Sequence, residues 1–438
     1  MRPGSAGHLR APRSERRIWS EDRSWGDIAG SGDPYIVWIA SQQWEGHGTD
    51  RRLAAALARR ARILWVDAPV SLMTSAQTRL GAARTVRPVL SALDDRVLRL
   101  TPMALPGMTR AGVRATTGPI VRAQVRWAIR RAGIEPFAIV GSNFESALGR
   151  WGSGVVSALH GTDDYVAGAD LMGRSARRLL AQERRAVAHA DVVTAISPLL
   201  AQRWSVLRGG PVPLIPNGCT PVRASPDALP RAVRQLPRPV AGLVGTLNAR
   251  IDMGLAEAIA DAGFSLVVVG PHDARWEPRR FAALTARPHV HYAGRVPEGE
   301  VAAYIAATDV GVTPYLDTPF NRASFPLKTL DYLGAGRPVV STDLPAARWL
   351  LDDLGRSDQA ACSGRILALA GDRAQFIDAV RQMAGDPGRP VRAGASLAAM
   401  AAEPAGARRC RAFAARHSWS RRADALAALI GLPAPVPG

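Results

Sequence analysis

The chain has 438 residues, of which 47% are hydrophobic and 21% charged, and its formal net charge is +19. This balance is typical of globular proteins and excludes fibrous and disordered chains, while the length predicts two or three domains. The longest apolar runs have six or seven residues, far fewer than the ~20 that a transmembrane helix needs. We therefore expect no membrane-spanning segment.

The positive charge is concentrated in less than a quarter of the chain. Residues 51–150 contain 17 arginines and five acids, which predicts one strongly basic face. Arginine supplies every basic residue except Lys328, a bias that GC-rich coding would produce without functional meaning. No RNP, KH, helix-turn-helix or mixed aromatic and basic pattern accompanies the charge, so we expect no nucleic-acid partner.

The three cysteines indicate a reducing compartment. Cys219, Cys362 and Cys410 are widely spaced and form no C-x-x-C pair, so neither a disulfide framework nor a zinc site is expected. Residues 1–30 lack the apolar segment of a secretory signal and predict a flexible basic tail. The interpretation is a cytoplasmic protein without a metal.

Short β-branched runs alternate with helical patterns along the chain, which predicts parallel α/β architecture. Residues 219–239 contain five prolines, too many for a helix or a central strand, and predict a linker between two Rossmann-like domains at 31–218 and 240–407. A last helical stretch is predicted within 408–438. The predicted strands are Tyr35–Ala40, Ile63–Asp67, Val97–Thr101, Phe137–Gly141, Val155–Leu159, Val192–Ala195 and Val212–Ile215 before the linker, and Val240–Gly245, Leu266–Val269, Val290–Ala293, Val310–Thr313 and Val339–Ser341 after it.

The strongest local signal is the segment 324–342, SFPLKTLDYLGAGRPVVST. Ser324 is predicted to cap a helix that has Pro326 in its first turn and ends at the following glycines. Lys328 and Asp331 are three residues apart on one face, so a cation can meet a phosphate while a carboxylate accepts hydroxyl hydrogens from a sugar. A solvent-facing ion pair would have the same spacing.

This segment resembles the donor-site motif of the GT-B glycosyltransferases, in particular the family-four-like branch that includes teichuronic-acid-biosynthesis-type enzymes. The resemblance covers roughly residues 35–430. It implies two facing Rossmann-like domains, an acceptor-binding one at 31–218 and a nucleotide-sugar-binding one at 240–407, with a C-terminal helix that crosses back to the first domain. Asp331 corresponds to the second acid of the E-x7-E motif, which implies contact with the nucleotide ribose.

The first acid of that motif falls on Ala323, so the chain departs from the pattern at the position that usually contacts the transferred sugar. Asn321, Arg322 or Ser324 could substitute, and the spacing does not choose among them. The departure leaves the donor sugar and the stereochemical course open. It also favours an alternative function, a non-catalytic GT-B module that binds a nucleotide sugar or a glycan.

A second segment, 244–252, follows the first predicted strand of 240–407 and resembles the glycine loop and basic residue of the same family. Seen alone, Arg250 would be a surface arginine after a turn. The donor-binding residues that the resemblance implies are Gly245, Thr246, Arg250, Ser324, Lys328 and Asp331.

A glycine-bearing loop after the first predicted strand is the candidate acceptor site. Gly46, His47 and Gly48 lie in this loop, where the small residues would let the backbone approach a ligand. A tight turn would require the same glycines.

Three polar residues follow the strand predicted at 155–159. His160, Asp163 and Asp164 would lie at the sheet edge where open α/β sheets bind ligands. The resemblance matches His160 to a histidine of retaining family-four enzymes, and the two aspartates to paired acids of the teichuronic-type branch. One of the three would be the general base of an inverting enzyme, although a helix cap would explain any one of them.

The segment Arg110–Arg131 predicts a basic amphipathic helix. Arg114, Arg122, Arg126 and Arg130 are spaced by multiples of four and form one stripe beside an apolar one. Such a helix can contact an anionic membrane surface or an anionic lipid-linked acceptor. A scaffold helix with solvated arginines would show the same pattern.

Together these residues predict a cytoplasmic glycosyltransferase, peripheral on the inner face of the plasma membrane. The expected reaction moves a hexose from a UDP- or GDP-sugar to a hydroxyl of a glycan or lipid-linked cell-envelope acceptor. We expect it to need no metal and no cofactor besides the nucleotide-sugar co-substrate.

Overall fold

The computed structural model describes residues 33–433 apart from position 47 and the segments 72–86, 108–109, 147, 223–228, 358–365 and 388–404. The chain divides into two compact units. The first comprises Met1–Leu159, His189–Val192 and Ala427–Gly438, and the second comprises His160–Ala188 and Val193–Leu426.

Strands and helices alternate along both units, as the sequence predicts. The strands are β1 (Tyr35–Ile39), β2 (Arg62–Val66), β3 (Val70–Ser71), β4 (Val89–Ala92), β5 (Val97–Thr101), β6 (Met103–Ala104), β7 (Pro136–Gly141), β8 (Val156–Gly161), β9 (Val192–Ala195), β10 (Val240–Val244), β11 (Ser265–Val269), β12 (Val290–Gly294), β13 (Val310–Thr313), β14 (Val339–Thr342) and β15 (Leu367–Ala370). The helices are α1 (Thr49–Leu57), α2 (Ala111–Arg131), α3 (Ala176–His189), α4 (Pro198–Arg208), α5 (Arg231–Arg234), α6 (Met253–Asp261), α7 (Pro278–Thr285), α8 (Glu298–Ala306), α9 (Pro319–Ala323), α10 (Leu327–Gly334), α11 (Pro345–Ser357), α12 (Arg373–Ala384), α13 (Ala405–Arg416) and α14 (Trp419–Leu429).

The first sheet has seven strands in the order β4-β5-β2-β1-β7-β8-β9. Strand β1 pairs in parallel with β2 on one side and β7 on the other, whereas β4 is antiparallel to β5. Without β4 the order is the 3-2-1-4-5-6 of doubly wound nucleotide-binding folds, and it reverses between β1 and β7. All five residues of β1 are buried, which explains why the strand is a continuous apolar run rather than an alternating one.

The second sheet has six parallel strands in the order β12-β11-β10-β13-β14-β15. This is the same doubly wound order, and it reverses between β10 and β13. One apolar layer joins the sheet to α6, α7 and α12, and another joins it to α8, α10, α11 and α13. Helices therefore cover both faces, as a parallel sheet requires.

Two sequence predictions about this architecture are wrong in detail. The strand predicted at Val212–Ile215 is reduced to a single bridge between Leu214 and Ala195, because prolines at 211, 213 and 216 cannot donate to a ladder. The last helical stretch is two helices, α13 and α14. The break lies at residues 417–418, between the end of α13 and the start of α14. There Cys219 N donates to the His417 carbonyl, and Trp419 N donates to the Cys219 carbonyl.

The segment predicted as a linker contains ordered structure among its described residues. Helix α5 fits between Pro230 and Pro237, and its Val233 is 1% exposed. Helix α14 begins in the second unit, and its last turn belongs to the first. The predicted domain boundaries stay a prediction.

The basic helix predicted at Arg110–Arg131 is present as α2. Its apolar residues Val125 and Ala128 are fully buried, so this part of the apolar stripe packs in the interior of the fold. Arg126 lies at the surface, where it donates to the Arg150 carbonyl at 3.0 Å and lies over the Trp151 ring. Within the described part of the chain, no helix is long and apolar enough to cross a membrane.

Candidate functional site

Helix α10 presents the two charged residues of the strongest motif on one face. Lys328 Nζ lies 3.0 Å from Asp331 Oδ2, as the spacing predicts. The two side chains are only 21% and 15% exposed, so this is a partly buried pair and not a solvated surface contact. A cation and a carboxylate are thus held side by side at the edge of the second unit's sheet.

Ser324 does not cap this helix, which corrects the sequence prediction. The helix begins at Leu327 with Pro326 at its N-cap position. A proline disfavours helical backbone for the residue before it, so the helix starts only after Pro326. Ser324 instead ends α9 in an extended conformation, and its Oγ donates to the Phe320 carbonyl at 2.9 Å.

Tyr332 fixes α10 to the sheet. Its hydroxyl donates to the Gly242 carbonyl at 2.5 Å and accepts from Val244 N at 2.9 Å. The ring is fully buried, and burial raises the pKa of the phenol well above 10.0. A Cβ at Gly311 would lie 2.2 Å from the ring, so glycine is needed there. This contact sets the position of Lys328 and Asp331 relative to strands β10 and β13.

Gly245 lies directly after β10, where the strand order of the second sheet reverses. Its φ of +148° favours glycine, and a Cβ placed on it would lie 4.0 Å from Lys328 Cγ. Gly270, after the neighbouring strand β11, approaches so closely that its own Cβ would lie 1.9 Å from the Gly245 carbonyl oxygen. The loop therefore depends on two glycines, of which the sequence identified the first. The side chain of Thr246 is exposed.

Arg250 is held by contacts that the sequence did not indicate. Its Nε donates to Asn321 Oδ1 at 2.9 Å, and Asn321 Nδ2 donates back to the Arg250 carbonyl at 2.9 Å. The guanidinium carbon lies 4.8 Å from the Phe320 ring centroid and 5.4 Å from that of Tyr315. An amide and two aromatic faces orient this cation, so its charge is directed rather than left to a mobile surface side chain.

A small cleft lies beside Arg250. Its walls combine the cation with hydroxyl, aromatic and small aliphatic groups. The lining residues are Arg250, Tyr315, Asn321, Ser324, Phe325, Pro326, Ser341, Leu344, Ala346 and Ala347. The arginine of this lining can pair with a phosphate, and its hydroxyl groups can form hydrogen bonds with a polar ligand.

Of the three polar residues predicted to follow this strand, His160 lies within β8 itself, which corrects the prediction, and Asp163 adjoins the donor motif. Ser324 Oγ lies 3.4 Å from Asp163 Oδ1, a long hydrogen bond across 161 positions of sequence. His160 is 3% exposed, and its Nδ1 lies 2.9 Å from the hydroxyl of the fully buried Thr194. Asp164 accepts from the amides of the next turn and pairs with Arg203 at 3.0 Å. The geometry favours Asp163 as the residue of this group that a ligand would meet.

A buried ion network holds the segment that carries Asp163. Arg203 donates twice to Glu183, at 2.7 and 3.0 Å, and Trp204 Nε1 donates to the same carboxylate at 2.8 Å. Burial raises the pKa of Glu183, while the opposing charge of Arg203 lowers it. Arg203 also contacts Asp164. Sequence analysis missed this network, since no local pattern links residues 164, 183 and 203.

The candidate acceptor loop of the first unit is filled by one of its own side chains. A Cβ at Gly48 would lie 1.1 Å from Gln42 Nε2, and one at Gly46 would lie 2.6 Å from Gln42 Oε1. Gln42 Nε2 donates at 2.6 Å to Asp50, which is 1% exposed. These two glycines thus make room for Gln42, and a ligand role for them stays a prediction. His47 lies outside the described residues.

The predicted donor residues 245, 250, 324, 328 and 331 all belong to the second unit, and Asp163 belongs to the same unit. No group of three or more His, Cys, Asp or Glu side chains that could hold a metal ion occurs among the described residues. Metal independence stays a prediction.

Known proteins resemble this chain both in sequence and in fold. Residues 238–386 match the family model described as Glycosyl transferases group 1. The matched region contains β10 to β15 and every predicted donor-binding residue.

One curated relative is 35% identical over 109 residues, a stretch that covers 24% of this chain and 27% of the relative. It is TuaH of Bacillus subtilis (strain 168), which carries the provisional name of a teichuronic acid biosynthesis glycosyltransferase. The match therefore spans about a quarter of that relative's length.

The solved structures that resemble the chain extend over nearly its whole length. Sucrose-phosphate synthase from Thermosynechococcus elongatus has a TM-score of 0.63 at 18% identity and covers 90% of this chain and 98% of its own. The catalytic domain of Starch Synthase IV from Arabidopsis thaliana has a TM-score of 0.61 at 14% identity, with 91% and 99% covered. Anabaena HepE in complex with UDP-glucose has a TM-score of 0.58 at 14% identity, also with 91% and 99% covered. These likenesses show that the chain has the GT-B fold.

Proposed function

We propose that the chain is a glycosyltransferase that moves a hexose from a UDP- or GDP-sugar to a hydroxyl of a glycan or lipid-linked cell-envelope acceptor. The observation that carries the proposal is a convergence within one unit: the stem of Lys328, which pairs with Asp331, lies next to Gly245, and Arg250 follows on the same loop and lines a cleft. This convergence lies near the point where the strand order reverses, which is where doubly wound sheets bind nucleotides.

Each of these groups has a role in holding a nucleoside diphosphate. Lys328 and Arg250 would neutralise the diphosphate, and Gly245 would let the backbone approach it. Asp331 would accept hydrogens from the ribose hydroxyls. Negative charge grows on the departing diphosphate as the glycosidic bond breaks, so preorganised cations next to it would stabilise the transition state more than the ground state.

The relatives support a nucleotide-sugar donor. Structures of HepE are described with UDP, with UDP and glucose, and with UDP-glucose, and an Escherichia coli structural neighbour is described with UDP-2-fluoro glucose. The name of the Bacillus relative supports a polysaccharide product. The arginine stripe of α2, with Arg114, Arg122, Arg126 and Arg130, supports a contact with an anionic membrane surface on the cytoplasmic side.

Catalysis would depend on Asp163 or His160 if the reaction inverts the anomeric centre. An inverting enzyme needs a base to take the proton from the acceptor hydroxyl, whereas a retaining enzyme needs none. The half-buried carboxylate of Asp163 is better placed for that role than His160, which is almost entirely buried against Thr194.

The proposal is tested by incubating the full chain with a panel of UDP- and GDP-sugars in the presence of cell-envelope extract. We expect release of free nucleotide and incorporation of labelled sugar with at least one donor. The alternative, a non-catalytic module, is favoured by the alanine at position 323. Calorimetric binding of a nucleotide sugar without turnover under any of these conditions would support that alternative and contradict the enzyme.

A further inference from the structure

We infer that helix α3 docks on the anionic headgroup layer of a membrane through four exposed arginines, with the apolar turn before the helix entering the layer. The arginines, which form the α3 stripe, are Arg177, Arg178, Arg184 and Arg185. The inference deepens the membrane contact of the proposed function, and it rests on that function for the lipid-linked acceptor that a membrane would present. Its test needs neither donor nor acceptor.

The spacing of residues along α3 separates a basic face from a buried one. Successive residues of an α-helix turn by about 100°, so positions 177, 178, 181, 184, 185 and 188 lie on one side. All six residues are exposed. The opposite side carries the buried residues Leu179, Glu183, Ala186 and Val187. Four arginines and two alanines therefore form one continuous surface strip.

Contacts on the buried side fix the rotation of α3. Glu183 is 1% exposed and accepts from Arg203 at 2.7 and 3.0 Å and from Trp204 Nε1 at 2.8 Å, both residues of α4. Glu183 is also the only acid between positions 171 and 190 of the sequence. Because its charge is already paired with Arg203, no acid of α3 is left to neutralise the stripe.

The stripe lacks the acidic partners that other surface arginines of the second unit have. Arg280 pairs with Glu257 at 2.7 Å, and Arg287 pairs with Asp261 at 2.6 Å. Within the described part of the chain, by contrast, the guanidinium groups of the stripe form no ion pair and no hydrogen bond. Four positive charges are therefore presented outward without a counter-charge among those residues.

The first turn of α3 carries charge of the unfavourable sign. It contains Arg177 and Arg178 and no acid, whereas the positive end of the helix dipole at this terminus favours acids. Both arginines are exposed, so burial gives no compensating stabilisation. This placement destabilises the helix in the isolated chain, and an anionic surface opposite it would turn the repulsion into attraction.

The turn before the helix presents two large apolar side chains. Leu171 is 52% exposed and Met172 is 40% exposed. Backbone hydrogen bonds from Met172 N to the Gly168 carbonyl at 3.1 Å and from Arg174 N to the Ala169 carbonyl at 2.8 Å hold the turn. Apolar residues beside a basic helix face are typical of surfaces that enter a headgroup layer. Residues 171–189 contain no Phe, Tyr or Trp, the side chains that stack on bases, so lipid is favoured over nucleic acid.

The chemistry of the stripe matches phospholipid headgroups. A guanidinium donates two parallel hydrogen bonds to one phosphate, and basic residues near an anionic leaflet add to its attraction for the protein. Salt screens such contacts over a Debye length of about 8 Å at physiological ionic strength, while the apolar contact of Leu171 and Met172 is not screened. Binding should thus require anionic lipid and should weaken, without vanishing, as the salt concentration rises.

The test is co-sedimentation of the full chain with phosphatidylglycerol vesicles at low and high salt, with phosphatidylcholine vesicles as the neutral comparison. The stripe variant carries Arg177→Gln, Arg178→Gln, Arg184→Gln and Arg185→Gln. It should bind the anionic vesicles about tenfold or more weakly at low salt. It should also unfold at the same or a higher temperature, because the first turn of α3 is relieved of repulsion, and it should keep the wild-type affinity for UDP or GDP.

The matched control removes the same charge from exposed arginines on other helices of the second unit, by Arg231→Gln, Arg234→Gln, Arg279→Gln and Arg373→Gln. It should bind the anionic vesicles nearly as tightly as the wild type. An equal loss in the control and in the stripe variant would overturn the inference, since net charge alone would then explain the binding. Wild-type lipid binding by the stripe variant would overturn it too, and a simultaneous loss of binding to duplex DNA would then favour nucleic acid.

The apolar turn is tested by combining Leu171→Ser with Met172→Ser, which should remove the binding that persists at high salt. Unchanged binding there would contradict the entry of the turn into the layer. A wild-type chain that binds anionic vesicles but transfers no sugar would contradict the proposed function and leave the α3 stripe standing. A chain that transfers sugar but binds no vesicle would contradict the stripe alone.

Discussion

The two glycine-bearing loops of this chain occupy equivalent places and are used differently. Residues 245–250 follow β10 and residues 44–50 follow β1, each at the point where its sheet reverses order. In the second unit the glycines let backbones approach each other, and Arg250 lines an open cleft. In the first unit the glycines make room for Gln42, which donates to the buried Asp50.

The two loops differ in which atoms lie beside their glycines. A glycine has no side chain. The atoms that fill the space where a side chain would lie show whether the loop is structural or can bind a ligand. A Cβ at Gly245 would meet the stem of Lys328 at 4.0 Å, whereas a Cβ at Gly48 would overlap the amide of Gln42. Four experiments test this contrast between the two units.

The largest effect is expected for Gly270→Ala. The added Cβ would lie 1.9 Å from the Gly245 carbonyl oxygen at a φ of +134°, so both steric overlap and backbone strain oppose it. We expect a loss of about 3 kcal/mol in the free energy of unfolding of the second unit and a displaced Gly245 loop. Thermal unfolding and UDP or GDP titration measure the two consequences.

Gly299→Ala is the control for this variant, since a Cβ at that helical position meets nothing within 4 Å. It should be neutral or slightly stabilising. Wild-type stability and nucleotide affinity in Gly270→Ala would show that the two backbones are not packed as described.

Lys328→Ala should weaken binding of UDP or GDP by about tenfold or more, because one charge-assisted contact is lost. Arg322→Ala removes the same charge from an exposed position six residues away and should leave the affinity unchanged. Calorimetry measures the affinity of both variants and of Asp331→Asn for UDP and GDP. Unchanged affinity in both Lys328→Ala and Asp331→Asn would remove this helix from the donor site.

The architecture could be predicted from the sequence because its signal is local. Apolar β-branched runs separated by helical patterns identify β1, β2, β5, the three strands from β7 to β9 and the five strands from β10 to β14, and the spacing of Lys328 and Asp331 predicts their ion pair. The antiparallel strand β4 and the edge strand β15 were missed. Both are four-residue strands with little β-branched content, so their pairing comes from the neighbouring strand rather than from their own pattern.

The details of the site depend on contacts between residues far apart in sequence. Asn321 orients Arg250 across 71 positions, and the Tyr332 hydroxyl reaches Gly242 across 90. Neither partner has a pattern that points to the other. The predicted cap at Ser324 failed for a local reason, the proline two residues later, which delays the helix and leaves the serine free to line the cleft.

The first-unit loop is tested by combining Gly48→Ala with Gln42→Ala. Gly48→Ala should displace the Gln42 amide and deprive the buried Asp50 of a donor, at a cost of about 1–3 kcal/mol. Gln42→Ala should cost a similar amount for the same reason. The double variant should cost little more than either single one, because the two changes remove one interaction.

Thermal unfolding of the wild type, the two single variants and the double variant gives the coupling free energy between positions 42 and 48. Additive losses would show that the glycine and the glutamine act separately, and the loop would then be free to serve a ligand through its backbone. A Gly48→Ala variant of unchanged stability that has lost transfer to the acceptor would likewise favour the binding role.

The smallest expected effect is on the pH dependence of the free energy of unfolding. The two units contain acid-sensitive groups that titrate in different pH ranges. In the second unit, burial and then the charge of Arg422 lower the pKa of His417 from 6.5 to about 4, against the opposing effect of Asp353. In the first-unit loop, burial acts to raise the pKa of Glu45, but its bonds to Arg99 outweigh this and hold the pKa below its usual 4.5.

Because the pKa of each group is lowered in the folded chain, falling pH should lower the free energy of unfolding through both His417 and Glu45, but in different pH ranges. As the pH falls from 6.5 towards about 4, His417 binds a proton in the unfolded chain but not in the folded chain. The free energy of unfolding therefore declines. The loss should reach about 1 kcal/mol between about pH 7 and about pH 5.5. Glu45, which is ionised in that range, contributes its loss only below 4.5. Thermal unfolding at these two pH values should therefore show a decline that His417→Gln reduces and Glu45→Gln leaves unchanged. An identical decline in the wild type and in His417→Gln would show that this histidine is not the group that titrates, and the contrast between the units would then have to rest on their loops alone.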